Sequence, residues 1–176
     1  MTIKWKMGFA SALALTAVLS LSACAPTEAP ETASVDVAAL HGRVLTLDTH
    51  IDIPLNYMTE IDPTSETDLQ VDLPKLMAGG LDSGFWIVYT PQGDLDEGGY
   101  QLAKDIATTR VKAIGELVSV HSEYFELART AADVRRIVSA GKRAVLIGME
   151  NAFPLGPDNY LDELTKYADA GVRYVG

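Results

Sequence analysis

Two rhythms of apolar residues run through this chain: short unbroken runs, and longer stretches in which apolar positions recur every three or four residues. Val44-Leu45-Thr46-Leu47, Ser83-Gly84-Phe85-Trp86-Ile87-Val88-Tyr89 and Ala144-Val145-Leu146-Ile147-Gly148-Met149 are of the first kind, and Val172-Arg173-Tyr174-Val175 opens another. Runs of that length, continuous rather than alternating, predict strands covered on both faces. The second rhythm predicts a long helix over residues 100–121, with Leu102, Ile106, Val111, Ile114, Leu117 and Val118 on its apolar side. Thr130 and Gly141 bracket a further helix over 131–140, and Gly171 closes one over 158–170. Asp72 and Pro74 start a helix that Gly79-Gly80 ends, and a short helix is expected over 37–41. Residues 54–71, with Asp62-Pro63 and several acids, form a loop in position to lie over the end of the first strand.

Strand and helix in alternation mean right-handed crossovers and a parallel sheet, so the fold class is α/β. No glycine-rich phosphate loop follows the first strand, which leaves the dinucleotide-binding version of such a sheet without support. Polar residues gather where strands end, as in a (β/α)8 TIM-type barrel. Eight units need about 250 residues. Setting aside residues 1–23 leaves 153 of the 176, and four strands are visible. The expectation is a partial barrel of about the first four βα units, the front half of a longer protein.

The amino terminus changes the picture. Lys4 and Lys6 precede an apolar stretch from Gly8 to Leu21, which Leu21-Ser22-Ala23-Cys24 closes with small residues. Residues 1–23 therefore read as an export signal, too short for a spanning helix. The last four residues resemble a bacterial lipoprotein box, which implies cleavage before Cys24 and a lipid on its thiol. Cys24 is the one cysteine of the chain, so no disulfide framework competes for it. Residues 24–36, polar and proline-rich, read as a tether to a domain over 37–176. By the same resemblance, Ala25 after the cysteine implies an outer-membrane anchor facing the periplasm. Without residues 1–23, 12 basic side chains face 24 acidic ones. That balance argues against nucleic acid as a partner and against holding a membrane through a basic face.

Candidate chemistry sits at the strand ends. Asp48-Thr49-His50-Ile51-Asp52 closes the first strand, and alternation sends Asp48, His50 and Asp52 to one face, where two or three of them could hold a metal. Glu150 ends a second buried strand at the same edge. Two carboxylates buried together without a cation would raise at least one pKa and cost stability, whereas a carboxylate can bridge two divalent ions. The plain alternatives are a polar strand end for the first group and a salt bridge to a loop for Glu150. Elsewhere, His41 lies at the wrong edge for chemistry and His121 at a helix end, so both read as structural. Phe85 and Trp86 read as core, and Asp94-Leu95-Asp96-Glu97 as a solvated loop.

Three segments carry a resemblance over roughly residues 37–176. Asp48-Thr49-His50-Ile51-Asp52-Ile53-Pro54 is similar to D-G-H-N-D-x-P. Asp72-Leu73-Pro74-Lys75-Leu76-Met77-Ala78-Gly79-Gly80 with Phe85-Trp86-Ile87-Val88-Tyr89 is similar to D-L-x-x-L-x-x-G-G and F-W-x-x-Y, and Gly148-Met149-Glu150-Asn151 to G-x-E-G. Together they resemble the amino-terminal half of a membrane dipeptidase, the renal dipeptidase family of zinc metallopeptidases. The resemblance implies that His50 and Asp52 bind one zinc and that Glu150, the catalytic bridge, shares it with a second. It implies a hydroxide between two zinc ions that attacks the scissile carbonyl of a dipeptide. Two further histidines and an aspartate from later strands complete the family's site, and none lies within residues 1–176. Thr49 and Ile51 replace the commoner Gly and Asn, and Phe153 stands where many members have a substrate-contacting histidine, which puts substrate choice in doubt.

The leading expectation is thus a lipid-anchored zinc metallodipeptidase, with residues 25–176 alone aggregation-prone or partly unfolded and inactive. Other readings stay open. One is a different amidohydrolase-like hydrolase acting on a non-peptide amide or lactone. Another is a non-enzymatic solute-binding lipoprotein, and a third a degenerate barrel kept for binding.

Overall fold

The computed structural model describes residues 34–176, so the expected export signal, Cys24 and most of the expected tether lie outside the described residues. In chain order the elements are α1 (Val37–His41), β1 (Leu47–Asp52), α2 (Leu73–Gly79), β2 (Ser83–Tyr89), α3 (Glu97–Val120), β3 (Phe125–Leu127), α4 (Ala131–Ser139), β4 (Arg143–Glu150), a 3-10 turn (Phe153–Leu155), α5 (Tyr160–Ala170) and β5 (Val172–Val175). Every strand pairing is parallel. The sheet runs β1-β2-β4, and β4 then pairs with β3 at its start and with β5 at its end. Leaving β3 aside, the strands stand side by side in chain order, as the first four strands of a barrel do.

Local chemistry accounts for the helix boundaries. Asp72, Asp96 and Thr130 each cap a helix by accepting from a backbone N–H three residues on, at 2.9, 2.8 and 3.1 Å. Asp133 returns the bond to the Thr130 N–H at 3.0 Å, completing a capping box. Asp96 draws the start of α3 back to Glu97, so Gly98 and Gly99 lie inside a helix that composition alone starts at residue 100.

The face of α3 matches its expected apolar side in its second half, where Ile114 and Leu117 are buried and Val111 and Val118 pack against the core. In the first half Leu102 is 61% exposed, and Ala103, Ala107 and Arg110 are buried instead, with Ala113 following them. Small alanines let the helix sit close to the sheet, and the larger residues of β2 and β4 fill the space. Trp86, Val88, Val145, Ile147 and Met149 form the core there with Ile114, Leu117 and Phe125. Trp86 donates its indole N–H to the Tyr57 hydroxyl at 3.3 Å, which satisfies a buried polar atom.

β1 is less covered than its sequence predicts. Val44, Leu45 and Leu47 are 46–48% exposed, and only Ile51 within the strand is buried. Its register also slips. Asp48 lies opposite Gly84 and Ile51 opposite Trp86, so three steps on β1 match two on β2, a β-bulge.

Candidate metal centre

The bulge decides which side chains of β1 converge. Strict alternation puts Asp48, His50 and Asp52 on one face, but the extra residue throws Asp48 out of phase with Asp52. Asp48 instead turns back and accepts from the His50 backbone N–H at 2.8 Å. The expected trio thus becomes a pair on β1, with His50 and Asp52 delivered and Asp48 bracing the turn between them.

Glu150 is delivered differently. β4 is paired with β2 in unbroken register from Ala144 to Glu150, and Glu150 lies opposite Tyr89. The chain then turns sharply at Asn151, whose φ of 73° lies in the left-handed region. Asn151 donates its side-chain amide to the Thr90 carbonyl at 3.0 Å and accepts from the Phe153 N–H at 3.0 Å. That conformation also explains asparagine where the motif has glycine, since asparagine tolerates it best among residues with a side chain.

The three side chains meet. His50 Nε2 lies 3.4 Å from Asp52 Oδ1 and 3.2 Å from Glu150 Oε2. One donor atom from each falls within 4.8 Å of the others, and no other such group of three occurs among the described residues. The acids are not buried, as the sequence had suggested. Asp52 is 71% and Glu150 44% exposed, and the His50 side chain 43%. One imidazole nitrogen and two carboxylates, close together, fit a divalent cation.

Two groups that sequence reasoning missed frame this cluster. Arg110 lies behind β1, donating from Nε to the Ile53 carbonyl at 3.2 Å, with its guanidinium 5.7 Å from the centre of the Tyr89 ring. Burial pulls its pKa down, and the charge of Asp52 works against that. A readable signal existed: Arg110 falls on the stripe Ala103, Ala107, Ile114, Leu117, where a charge needs a reason to be buried. Tyr174 lies in front, and its hydroxyl donates to the Thr49 carbonyl at 3.0 Å. Burial first, then the carboxylates of Glu150, Asp52 and Asp48, push its pKa up. No local pattern could have shown a contact between residues 125 positions apart.

A cleft of about 530 Å³ opens beside His50 and Asp52, with Asp68, Leu69, Gln70 and Val71 of the loop as its far wall. The other candidates fall elsewhere. His41 ends α1, and its ring lies 3.4 Å from the Gly80 carbonyl. His121 ends α3, 3.7 Å from Asp62. Asp96 is occupied as a cap. Trp86 is core, whereas Phe85 lies on the other face of the sheet, its ring 5.0 Å from that of Tyr174. Phe153 is buried against Tyr100, with ring centres 4.9 Å apart.

The parallel sheet thus collects a histidine and two carboxylates at its carboxyl edge, a grouping able to hold a metal ion. The chain belongs to the membrane dipeptidase family (peptidase family M19), which matches residues 35–176. It is similar to Dipeptidase ataJ of Aspergillus terreus, 32% identical over 144 residues, which cover 75% of this chain and 34% of that protein. Among solved structures it is similar to the probable dipeptidase PvdM from Pseudomonas aeruginosa, with 30% identity and a TM-score of 0.71 over 79% of this chain and 36% of the other. The metallo peptidase from Rhodobacter sphaeroides, liganded with a phosphinate mimic of the dipeptide L-Ala-D-Ala, shares the fold. Its TM-score is 0.62 at 23% identity, covering 76% of this chain and 45% of that one. The chain spans about a third of the length of the curated relatives it matches.

Proposed function

We propose that this chain carries the first part of the active site of a zinc-dependent dipeptidase. The convergence of His50, Asp52 and Glu150 at one sheet edge carries this reading, and family membership supports it. His50 offers the Nε2 lone pair when its proton is on Nδ1, and Asp52 offers a carboxylate oxygen beside it. Glu150 turns one oxygen toward His50 and has a second with which to share its charge with another cation. When bound, two zinc ions sharing Glu150 would supply an acidified water as nucleophile and Lewis acidity toward the scissile carbonyl. The cleft is lined by Asp48, Asp52 and Asp68 with no lysine or arginine, so it favours cationic groups, including the ammonium end of a dipeptide.

The anchor belongs to the same proposal. Cys24 takes a lipid after removal of residues 1–23, and the protein is held at the outer membrane facing the periplasm. Among the described residues no helix is long and apolar enough to cross a membrane. The lipobox sequence supports the anchor, and membrane fractionation of the wild type beside Cys24→Ser tests it. A wild-type protein already free in the periplasm would refute it.

The site is tested in the intact protein by metal analysis and hydrolysis of L-Ala-D-Ala and other dipeptides. His50→Ala and Asp52→Asn should lower zinc content, and Glu150→Gln should disturb both ions. Dipeptidase activity should fall by several orders of magnitude in Glu150→Gln. Full activity there, with two metals still bound, would sink the assignment.

A further inference from the structure

The Tyr174 side chain lies across the sheet beside the cluster. It sits on β5 opposite Gly148 of β4, after a register slip that places two residues of β5 against one step of β4. Its ring lies directly over Gly148. A methyl group there would overlap the ring, with the phenol oxygen only 2.6 Å away, so Gly148 is required for space. The ring continues past Phe85 of β2, and the hydroxyl reaches Thr49 in the bulge of β1. One side chain thus spans from β5 over β4 and β2 to β1.

What it holds matters for the metal cluster. Thr49 lies between Asp48, which braces the bulge from within, and His50, which the bulge aims at Glu150. β1 pairs with β2, and the bulge interrupts that pairing between Asp48 and Ile51. The Thr49 carbonyl, held at 3.0 Å by a hydroxyl that reaches over from β5, constrains the backbone where the ladder does not. The geometry points to Tyr174 as a positioning residue for the metal site, which sets the bulge of β1, and with it His50 and Asp52, at the distance from Glu150 that a shared cation requires. This inference rests on the metal-binding reading above.

Tyr174→Phe and Phe85→Leu separate positioning from packing. The first removes only the hydroxyl. The second removes part of the ring's support and keeps the hydrogen bond. Metal affinity is measured by titrating the intact apo-protein with Co(II) and following its absorption bands, and stability by thermal denaturation of the same apo-proteins. Tyr174→Phe should bind Co(II) about 10-fold more weakly or worse, as is typical when a partner behind a ligand is lost, with altered band positions and a melting temperature close to the wild type. Phe85→Leu should melt earlier and bind Co(II) almost as the wild type does. A Tyr174→Phe protein with unchanged affinity and spectrum overturns the inference. So does one that fails to fold, or a pair of variants whose loss of metal simply tracks their loss of stability, because the hydroxyl then serves the fold alone. If the wild type binds no metal, the functional reading fails instead, and the two failures are distinct.

Discussion

β1 and β4 deliver the candidate ligands to one point by opposite means. β4 is enclosed, with β2 along one side, β3 and β5 along the other, and a core of Val145, Ile147 and Met149 beneath it. Its register with β2 is unbroken to Glu150, so the place of that carboxylate follows from backbone pairing alone. β1 pairs on one side, is largely exposed, and changes register just before its ligands. Its two ligand positions depend on single contacts: Asp48 to the His50 N–H, Tyr174 to the Thr49 carbonyl, and Arg110 to the Ile53 carbonyl. A strand held by its ladder needs little help from side chains. One whose ladder slips, as β1 does between Asp48 and Ile51, draws on side chains from elsewhere.

The sharpest way to break the contrast is to crowd the rigid strand. Gly148→Ala should destabilise by roughly 3 kcal/mol, at the upper end of overpacking costs, because an aromatic ring and a paired strand have nowhere to move. Urea denaturation measures it, and a variant as stable as the wild type would mean that β4 yields after all.

Asp72 tests the β1 side. This buried carboxylate caps α2, takes the Thr67 N–H at 2.8 Å and pairs with Lys75 at 2.7 Å, which ties down the loop forming the cleft's far wall. Burial opposes its charge, but Lys75, the cap and Thr67 outweigh burial and hold its pKa well below the usual carboxylate range. Because the folded pKa is depressed, its stabilisation is complete above about pH 4, the unfolded value, and is lost as pH falls further. Asp72→Ala should cost about 2 kcal/mol at neutral pH, for the cap and the donors left unpaired, and flatten the acid limb of the stability curve. Hydrogen exchange should speed up in residues 54–72 and β1 while β4 stays protected. Equal loss in both strands would erase the distinction.

The smallest effect is expected where the flexible strand itself is pressed. A methyl at Gly84 would meet the δ-methyl of Ile51, the far end of a buried side chain on β1 that can turn about its last bond. Gly84→Ala should therefore cost about 1 kcal/mol, clearly less than Gly148→Ala. Measured side by side, equal costs would show that β1 yields no more readily than β4.

This contrast also marks how far the sequence was legible. β2 and β4 could be read almost to the residue, because continuous apolar runs and regular pairing are two sides of one requirement. The strand-end positions of Glu150, His50 and Asp52 were legible too, while their selection as a ligand set came from the family resemblance. Phe125-Glu126-Leu127 did not announce itself as β3, since three residues carry no period and only pairing with Arg143–Val145 makes them a strand. The bulge was equally silent. Alternation grouped Asp48 with His50 and Asp52, and nothing local to β1 records the slip or the tyrosine that pins it. Arg110 was visible in principle, on the wrong side of an otherwise apolar stripe, but the first half of that stripe was misread by favouring Leu102 over the alanines.

The hydrogen bond from Tyr174 to Thr49 has a consequence in time as well as space. Joining residues 125 positions apart is among the most non-local contacts this chain can make, and its closure entropy must be met before the contact repays it. At about 5–20 residues per second of synthesis, His50 and Asp52 emerge some 5–20 s before Glu150, and Tyr174 follows later still. During that interval the nascent chain displays an imidazole and a carboxylate with no site around them. Assembly of the trio thus belongs to the end of folding, when the last described strand reaches back across the sheet to the first.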